Sequence, residues 1–434
     1  MTILGAAGGH PPAAPAINER TVLRLGLALV ASFLILAIVT GPLSMAGLHG
    51  WVAIHLTLAG AATVAIGTFM PHFGVTLAGT RPEPPALRLA GVLSLGVGMM
   101  VIALGRPALG DEVAAGGGLL VLLGIGLTAW NTYAPLRSGL ARRHPIAQAA
   151  YGLALAELAV GVSLAVLFLL GHEPITRAWI NLKPAHVWLN ALGFVSLTIA
   201  GTLIYLYPTM LGARIRAHVT LFVALIGLGL GPLIVAIGAA AAWPGLAIAG
   251  GAVSLAGSLG LLGYGIDAWR RRGRWANDKA RHDLAVRHGL AGMAWLVVAL
   301  AALLVGLVRD GGSPPGWTIG AAAVPLIGGW AMQELVGAWG HLLPAAGPGS
   351  METKARQRAT LSRWGTTRVV GWNFGLAVTW LGLGLDILPL AGVGLVTFGI
   401  VAGLTLVLFV AALLARPAVA TRSPAAVGPG GQPS

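Results

Sequence analysis

Twelve apolar stretches, each near the ~20 residues that cross a bilayer, occupy this chain from residue 22 to residue 415. They read as spans 22–42, 51–71, 86–105, 113–134, 149–170, 184–207, 217–241, 245–268, 289–308, 317–343, 367–388 and 391–415. Lys and Arg then decide which connections face the cytoplasm, because cytoplasmic loops carry the excess of basic residues. With the N-terminus inside, 23 of the 27 basic residues are cytoplasmic, and Arg106, Arg177, Lys183 and Arg309 are the four outside. The opposite orientation would invert that bias. The pattern predicts an all-α polytopic membrane bundle of 12 transmembrane helices with both termini cytoplasmic.

A chain that is 56% hydrophobic and 9% charged leaves no room for a large soluble domain. Its net charge of +14 follows from loop orientation, so the partner it implies is anionic lipid at the bilayer surface rather than nucleic acid. The absence of cysteine excludes disulfides, thiolate metal sites and Cys-ligated iron–sulfur clusters. Residues 1–20 are polar and read as a cytoplasmic tail before a retained signal anchor. Residues 21–415 form the membrane domain, and the Pro/Gly/Ser-rich segment 416–434 reads as a disordered cytoplasmic tail. The Ala/Gly/Leu-rich, Lys-poor composition suggests a bacterial cytoplasmic membrane.

Basic loops after spans four (Leu136–His144) and eight (Arg270–His288) divide the spans into blocks of four; a third follows span ten. The second span of each block shares sequence features, which predicts three pseudo-repeats of four helices. Spans six and ten share Gly201, Tyr205, Leu206 and Pro208 against Gly337, His341, Leu342 and Pro344. Spans two and six share an outer histidine and a Gly-Thr pair, Gly67-Thr68 and Gly201-Thr202. Small residues such as Gly60, Gly67, Gly193 and Gly201 permit close helix contact, which suggests spans two, six and ten at the bundle centre.

Ionisable groups at membrane depth cost about 2.5–3.5 kcal/mol each at a span centre, so the few present are informative. His55 and His186 lie in the outer third of spans two and six; His72, Tyr205, Tyr207 and His341 lie near inner ends. Neutral imidazole binds haem iron and copper, which makes His55 and His186 candidate cofactor ligands and His186, His72 and His341 candidate metal ligands. A histidine beside Trp51 or Trp188 also suits the headgroup belt, so both placements stay open. Glu157 and Glu334, with Tyr205 and Tyr207, suit a proton path, since a desolvated carboxyl can exist neutral; a Glu that only ties two helices is the alternative.

Twelve helices in three groups of four, with a histidine on the second and another on the sixth, resembles subunit I of the haem–copper oxidase superfamily, which includes the respiratory nitric oxide reductases. The stretch His186 to Arg214, with Gly193, Gly201 and Pro208, is also similar to the NnrS-type haem-and-copper membrane proteins. The resemblance implies that His55 is an axial ligand of a low-spin haem b and that His186 binds copper or non-haem iron. It departs where the family carries its adjacent histidine pair, since Ala239 to Gly245 holds none, and where a His-x-His should open span ten after Gly316. A complete terminal oxidase is therefore not expected. The expectation is a divergent relative that binds haem and/or copper, handling nitric oxide or metals or moving electrons beside a cupredoxin, cytochrome or reductase. Two other readings are a non-catalytic membrane subunit or assembly protein that keeps the fold, and a proton-coupled secondary transporter using Glu157 and Glu334.

Overall fold

The computed structural model describes residues 17–45, 51–137, 145–216, 218–273, 283–311, 322–346 and 350–415. The expected tails and the start of the tenth span (317–321) lie outside the described residues, as do His10, His144 and His282. What is described is all-helical, with no strand among the described residues. Helices α1 (Glu19–Met45), α2 (Trp51–Ala78), α3 (Pro85–Leu109), α4 (Asp111–Tyr133) and α5 (Pro145–Leu169) correspond to the first five expected spans. They are followed by α6 (Trp179–Leu211), α7 (Val219–Ala240), α8 (Pro244–Arg270), α9 (Asp283–Arg309) and α10 (Val324–Ala331 continuing through Met332–Ala346). A short helix α11 (Met351–Ser362) then precedes α12 (Gly365–Gly384) and α13 (Leu388–Leu413). Ten of these, α1 to α9 and α13, are long and apolar enough to cross a membrane. Helices α10 and α12 are also long but carry polar residues, among them Gln333, Glu334, Arg368 and Asn373.

The chain divides into two compact units. The first holds α1 to α5, α6 as far as Tyr205, α7, α8 to Tyr264 and the end of α9 from Leu300; the second holds Leu206–Arg216, Gly265–Ala299 and everything from Ile319 onward. In the first unit, Ala185, Leu189 and Ala236 pack together, while Ile204, Leu221 and Tyr264 form a second cluster in which the Tyr264 hydroxyl donates to Ile204 O at 2.7 Å. Arg88 on α3 is buried and paired with Glu19 at the start of α1. In the second unit Leu343, Leu361 and Ala412 make a small core that ties α11 to α10 and α13.

Three helix pairs share one construction. Helices α3 and α4 meet at Gly110 (φ 98°), α7 and α8 at a turn with Ala242 at φ 50°, and α12 and α13 at a turn with Asp386 at φ 57°. Gly110 tolerates its left-handed conformation without strain, having no Cβ. Each pair then packs through glycines with the backbones nearly touching. A Cβ on Gly98 would stand 2.6 Å from Gly117 O, one on Gly227 would stand 2.4 Å from Gly257 Cα, and one on Gly394 would stand 2.3 Å from Thr379 N. Lipid tails are as apolar as leucine, so helices in a membrane associate through such close packing rather than through a hydrophobic drive.

Helices α2, α6 and α10 share a different device. Each contains eight residues of π-helix: His55–Ala62, Leu189–Ser196 and Val324–Ala331. Their starts fall 134 and 135 residues apart. A π turn bonds i to i−5 and loosens the ordinary ladder, so side chains and neighbouring helices can claim backbone carbonyls there. Trp372 Nε1 donates to Gly328 O at 3.0 Å, and Gln333 Nε2 donates to Gly329 O at 3.1 Å.

The last basic loop contains α11, which sequence periodicity alone does not reveal. Ser350 caps its N-terminus, with Oγ accepting from Thr353 N at 3.3 Å, and Thr353, Gln357 and Leu361 form its buried face at four-residue spacing. Its C-terminal carbonyls receive Arg368, whose guanidinium donates to Leu361 O at 2.9 Å and to Thr405 Oγ1 at 3.1 Å. A cation at a helix C-terminus opposes the negative end of the dipole, which accounts for an arginine that is only 1% exposed.

The glycine seams predict a sharp contrast. Gly257→Leu, which drives a side chain into the α7 backbone, should lower stability by about 1–3 kcal/mol or more. Gly403→Leu, on a surface with nothing within 4 Å, should be silent. Thermal unfolding in detergent measures both, and equal effects would show that the seam does not govern packing.

Candidate functional site

The N-terminal parts of α2 and α6 bring two histidines into one neighbourhood. His55 is the first residue of the α2 π segment, His186 lies three residues before that of α6, and the two π segments pack against each other. His55 Nδ1 lies 2.8 Å from Trp51 O, and its ring sits 4.0 Å from the Trp51 ring. Arg106 covers the same indole at 5.1 Å and bonds Asp111 at 2.8 Å. His186 Nδ1 lies 2.8 Å from Gly161 O on α5.

These contacts fix the tautomers. A carbonyl oxygen can only accept, so Nδ1 of each ring must carry the proton and Nε2 must carry the lone pair. Metal-ligating histidines are held in the same way, with the second nitrogen donating to a carbonyl or carboxylate. Asn190 Nδ2 stands over the ring edge, 3.1 Å from His186 Nδ1 and 3.4 Å from Nε2, while the shorter 2.8 Å contact to Gly161 O is the one that takes the Nδ1 proton. Gly161 is required here, because a Cβ would stand 2.3 Å from Asn190 Oδ1.

The other candidate metal ligands lie elsewhere. His72 is exposed toward the C-terminal end of α2, 6.0 Å from the Phe73 ring. His341 is half-buried on α10, in the second unit. Among the described residues no three His, Cys, Asp or Glu side chains gather as a group able to hold a metal ion.

The proton-path candidates separate into two sets. On the α5–α6 interface the Tyr151 hydroxyl meets Thr202 Oγ1 at 2.8 Å and the Tyr205 hydroxyl at 3.0 Å. Glu157 lies six residues further along α5, about 9 Å at 1.5 Å per residue. It is 2% exposed, neither carboxyl oxygen has a hydrogen-bond partner, and it rests against Gly193, whose added Cβ would fall 1.6 Å from Oε2. Tyr207 donates to Val286 O on α9 at 3.1 Å. Glu334 belongs with it in the second unit, lodged against α9 where a Cβ on Gly292 would stand 2.4 Å from Oε1.

Sequence reasoning missed a buried network beside Glu334. His288, read from sequence as the last residue of the basic loop after span eight, is 0% exposed. Helix α9 begins at Asp283 instead of 289, which extends it inward by more than a turn and draws His288 into the packed interior. Its Nδ1 lies 2.8 Å from Gln333 Oε1; Gln333 Nε2 donates to Asn373 Oδ1 at 3.0 Å, and Trp295 Nε1 donates to the same oxygen at 2.7 Å. The signal available in the sequence was Gln333 and Asn373 themselves, two amides inside apolar spans.

The seat of Glu157 is testable as a coupled pair. Gly193→Ala should cost about 1–3 kcal/mol through the forced displacement of the carboxyl, and the same change in a Glu157→Ala background should cost much less. Melting temperatures of the four proteins close the cycle, and additive effects would refute the contact. No family model matches this chain, and no curated protein sequence is significantly similar to it.

Proposed function

We propose that this integral membrane protein binds haem through the outer histidine pair, with His55 or His186 supplying an axial nitrogen to the iron. The observation that carries the reading is the tautomer of the two rings: each commits Nδ1–H to a backbone carbonyl and keeps Nε2 for a ligand. Haem suits this donor set better than a protein-built copper site does. The porphyrin brings four nitrogens and asks the protein for one or two, whereas copper held by protein alone would draw on a third donor. Both rings are half-buried, so neither is sealed inside a closed core. Bound haem would supply one-electron transfer or capture of a small diatomic such as nitric oxide, beside a cupredoxin, cytochrome or reductase. The chain's own residues hold and orient: Trp51 and Gly161 set the rings, and Arg106 places a positive charge beside them.

The same proposal includes the architecture. Twelve spans in three repeats of four, with both termini cytoplasmic in a bacterial inner membrane, are supported by the basic-residue asymmetry and by two recurring devices. The second helix of each block has its π segment, and the third and fourth form a glycine-seamed hairpin. The missing histidine pair at Ala239 to Gly245 falls on the tight turn between α7 and α8, which argues for a reduced site rather than a complete oxidase. A second reading, a proton-coupled carrier, draws on Glu157, a buried carboxyl with no partner on either oxygen.

The deciding experiment is the visible spectrum of detergent-purified protein, oxidised and dithionite-reduced, with iron and copper quantified on the same sample. A Soret band near one iron per chain that collapses in His55→Ala or His186→Ala is the expected outcome. Copper without haem would move the site to His186 and its neighbours. A protein with neither chromophore nor stoichiometric metal would overturn the reading.

A further inference from the structure

Two buried groups in the second unit each lack what the other offers. His288 Nδ1 is committed to Gln333, whose own amide nitrogen is fixed by Gly329 O and Asn373 Oδ1, so Gln333 Oε1 must face the ring as acceptor. His288 is therefore a neutral imidazole with its lone pair on Nε2, and that nitrogen is buried with no hydrogen-bond partner. Glu334 is 4% exposed, and its Oε1 is likewise buried with no partner. An unpaired carboxylate in such a setting costs far more than the neutral acid, so the carboxyl carries its proton and has an O–H to donate. The buried cation Arg368 on α12 spends Nε on Thr405 Oγ1 and Nη1 on Leu361 O and Arg363 O, and keeps a buried Nη2 with no partner.

Both groups sit on the α9–α10 interface within about one helical turn. Glu334 rests against Gly289 and Gly292, and His288 is the neighbour of the first and one turn before the second. Gln333, which orients the imidazole, is adjacent to Glu334 in the chain. The remaining groups around the pair are Trp372, whose ring meets His288 edge-on at 5.4 Å, and Tyr207, whose ring lies against Gly289 and whose hydroxyl is spent on Val286 O.

We propose that Glu334 and His288 form a buried proton-holding pair in which the carboxyl O–H is linked to His288 Nε2 over one bound water. The pair keeps one transferable proton at fixed total charge. If the O–H bond breaks and an N–H bond forms at Nε2, a neutral acid and a neutral imidazole become a carboxylate and an imidazolium, with no net charge brought into the membrane. Gln333, Asn373 and Trp295 are positioning residues: they hold the tautomer that makes Nε2 the acceptor.

The test is nitrogen-15 NMR of the full-length protein in lipid nanodiscs with labelled histidine, the His288 signals assigned by their loss in His288→Asn. The expected wild-type result is a neutral ring protonated at Nδ1 with a hydrogen-bonded Nε2; a ring protonated at Nε2, or at both nitrogens, would overturn the proposal without any variant. Glu334→Gln, whose amide still donates, should keep the Nε2 hydrogen-bond shift, and Glu334→Leu should lose it. An unchanged Nε2 signal in Glu334→Leu would also overturn it. In a Glu157→Gln background, the infrared band of a protonated carboxyl should vanish in Glu334→Gln and shift to higher frequency in His288→Phe. A band indifferent to residue 288 counts against the pair.

Discussion

The hydrocarbon core offers no water to an unpaired N–H, carbonyl or carboxyl, and every polar feature of this protein answers to that constraint. Helices satisfy their own backbones. Where they open into π segments, side chains from within the protein take up the carbonyls, as Trp372 and Gln333 do at Gly328 and Gly329. Polar side chains are reached only if helices come close, and closeness depends on glycine. Gly161 admits Asn190 beside His186, Gly193 admits Glu157, and Gly292 admits Glu334. The glycines at these positions are what makes room for the buried polar side chains.

The two buried glutamates show how one solution serves two interfaces in opposite senses. Glu157 projects from α5 against a glycine of α6, and Glu334 projects from α10 against a glycine pair of α9. Both carboxyls sit where two consecutive membrane helices meet, Glu157 on the earlier helix of its pair and Glu334 on the later. Their surroundings then diverge. Glu157 shares its interface with the Tyr151–Thr202–Tyr205 hydroxyls, and Glu334 lies beside an imidazole held by two amides.

Much of the framework was legible from hydropathy and charge. Ten of the expected spans reappear as long apolar helices because a stretch of about 20 uncharged residues has little alternative in a bilayer. Glu157 and Glu334 were legible for the converse reason, as rare ionisable residues at depth. Three features were not. Helix α11 hid inside a basic loop, since its buried face is made of Thr353, Gln357 and Leu361, only one of them apolar. His288 was placed at the surface because the polar run before it masked the inward extension of α9. The π segments leave no local signature, for their residues are ordinary membrane-helix residues whose ladder is decided by what packs against them.

Those π segments also say something about how these helices can change. A π stretch holds surplus chain relative to an α-helix of the same reach, so it is a reserve of length and rotation stored in the middle of a membrane span. Migration of the widened turn along α2 would swing His55 about the helix axis while leaving both ends anchored at their interfaces. The same slippage in α10 would release Gly329 O from Gln333 and unlock the tautomer of His288. A one-residue deletion within such a stretch is therefore absorbed as a return to α-helix rather than propagated as a register error, which makes α2, α6 and α10, with α3 and its shorter π segment Val101–Gly105, tolerant of changes in length.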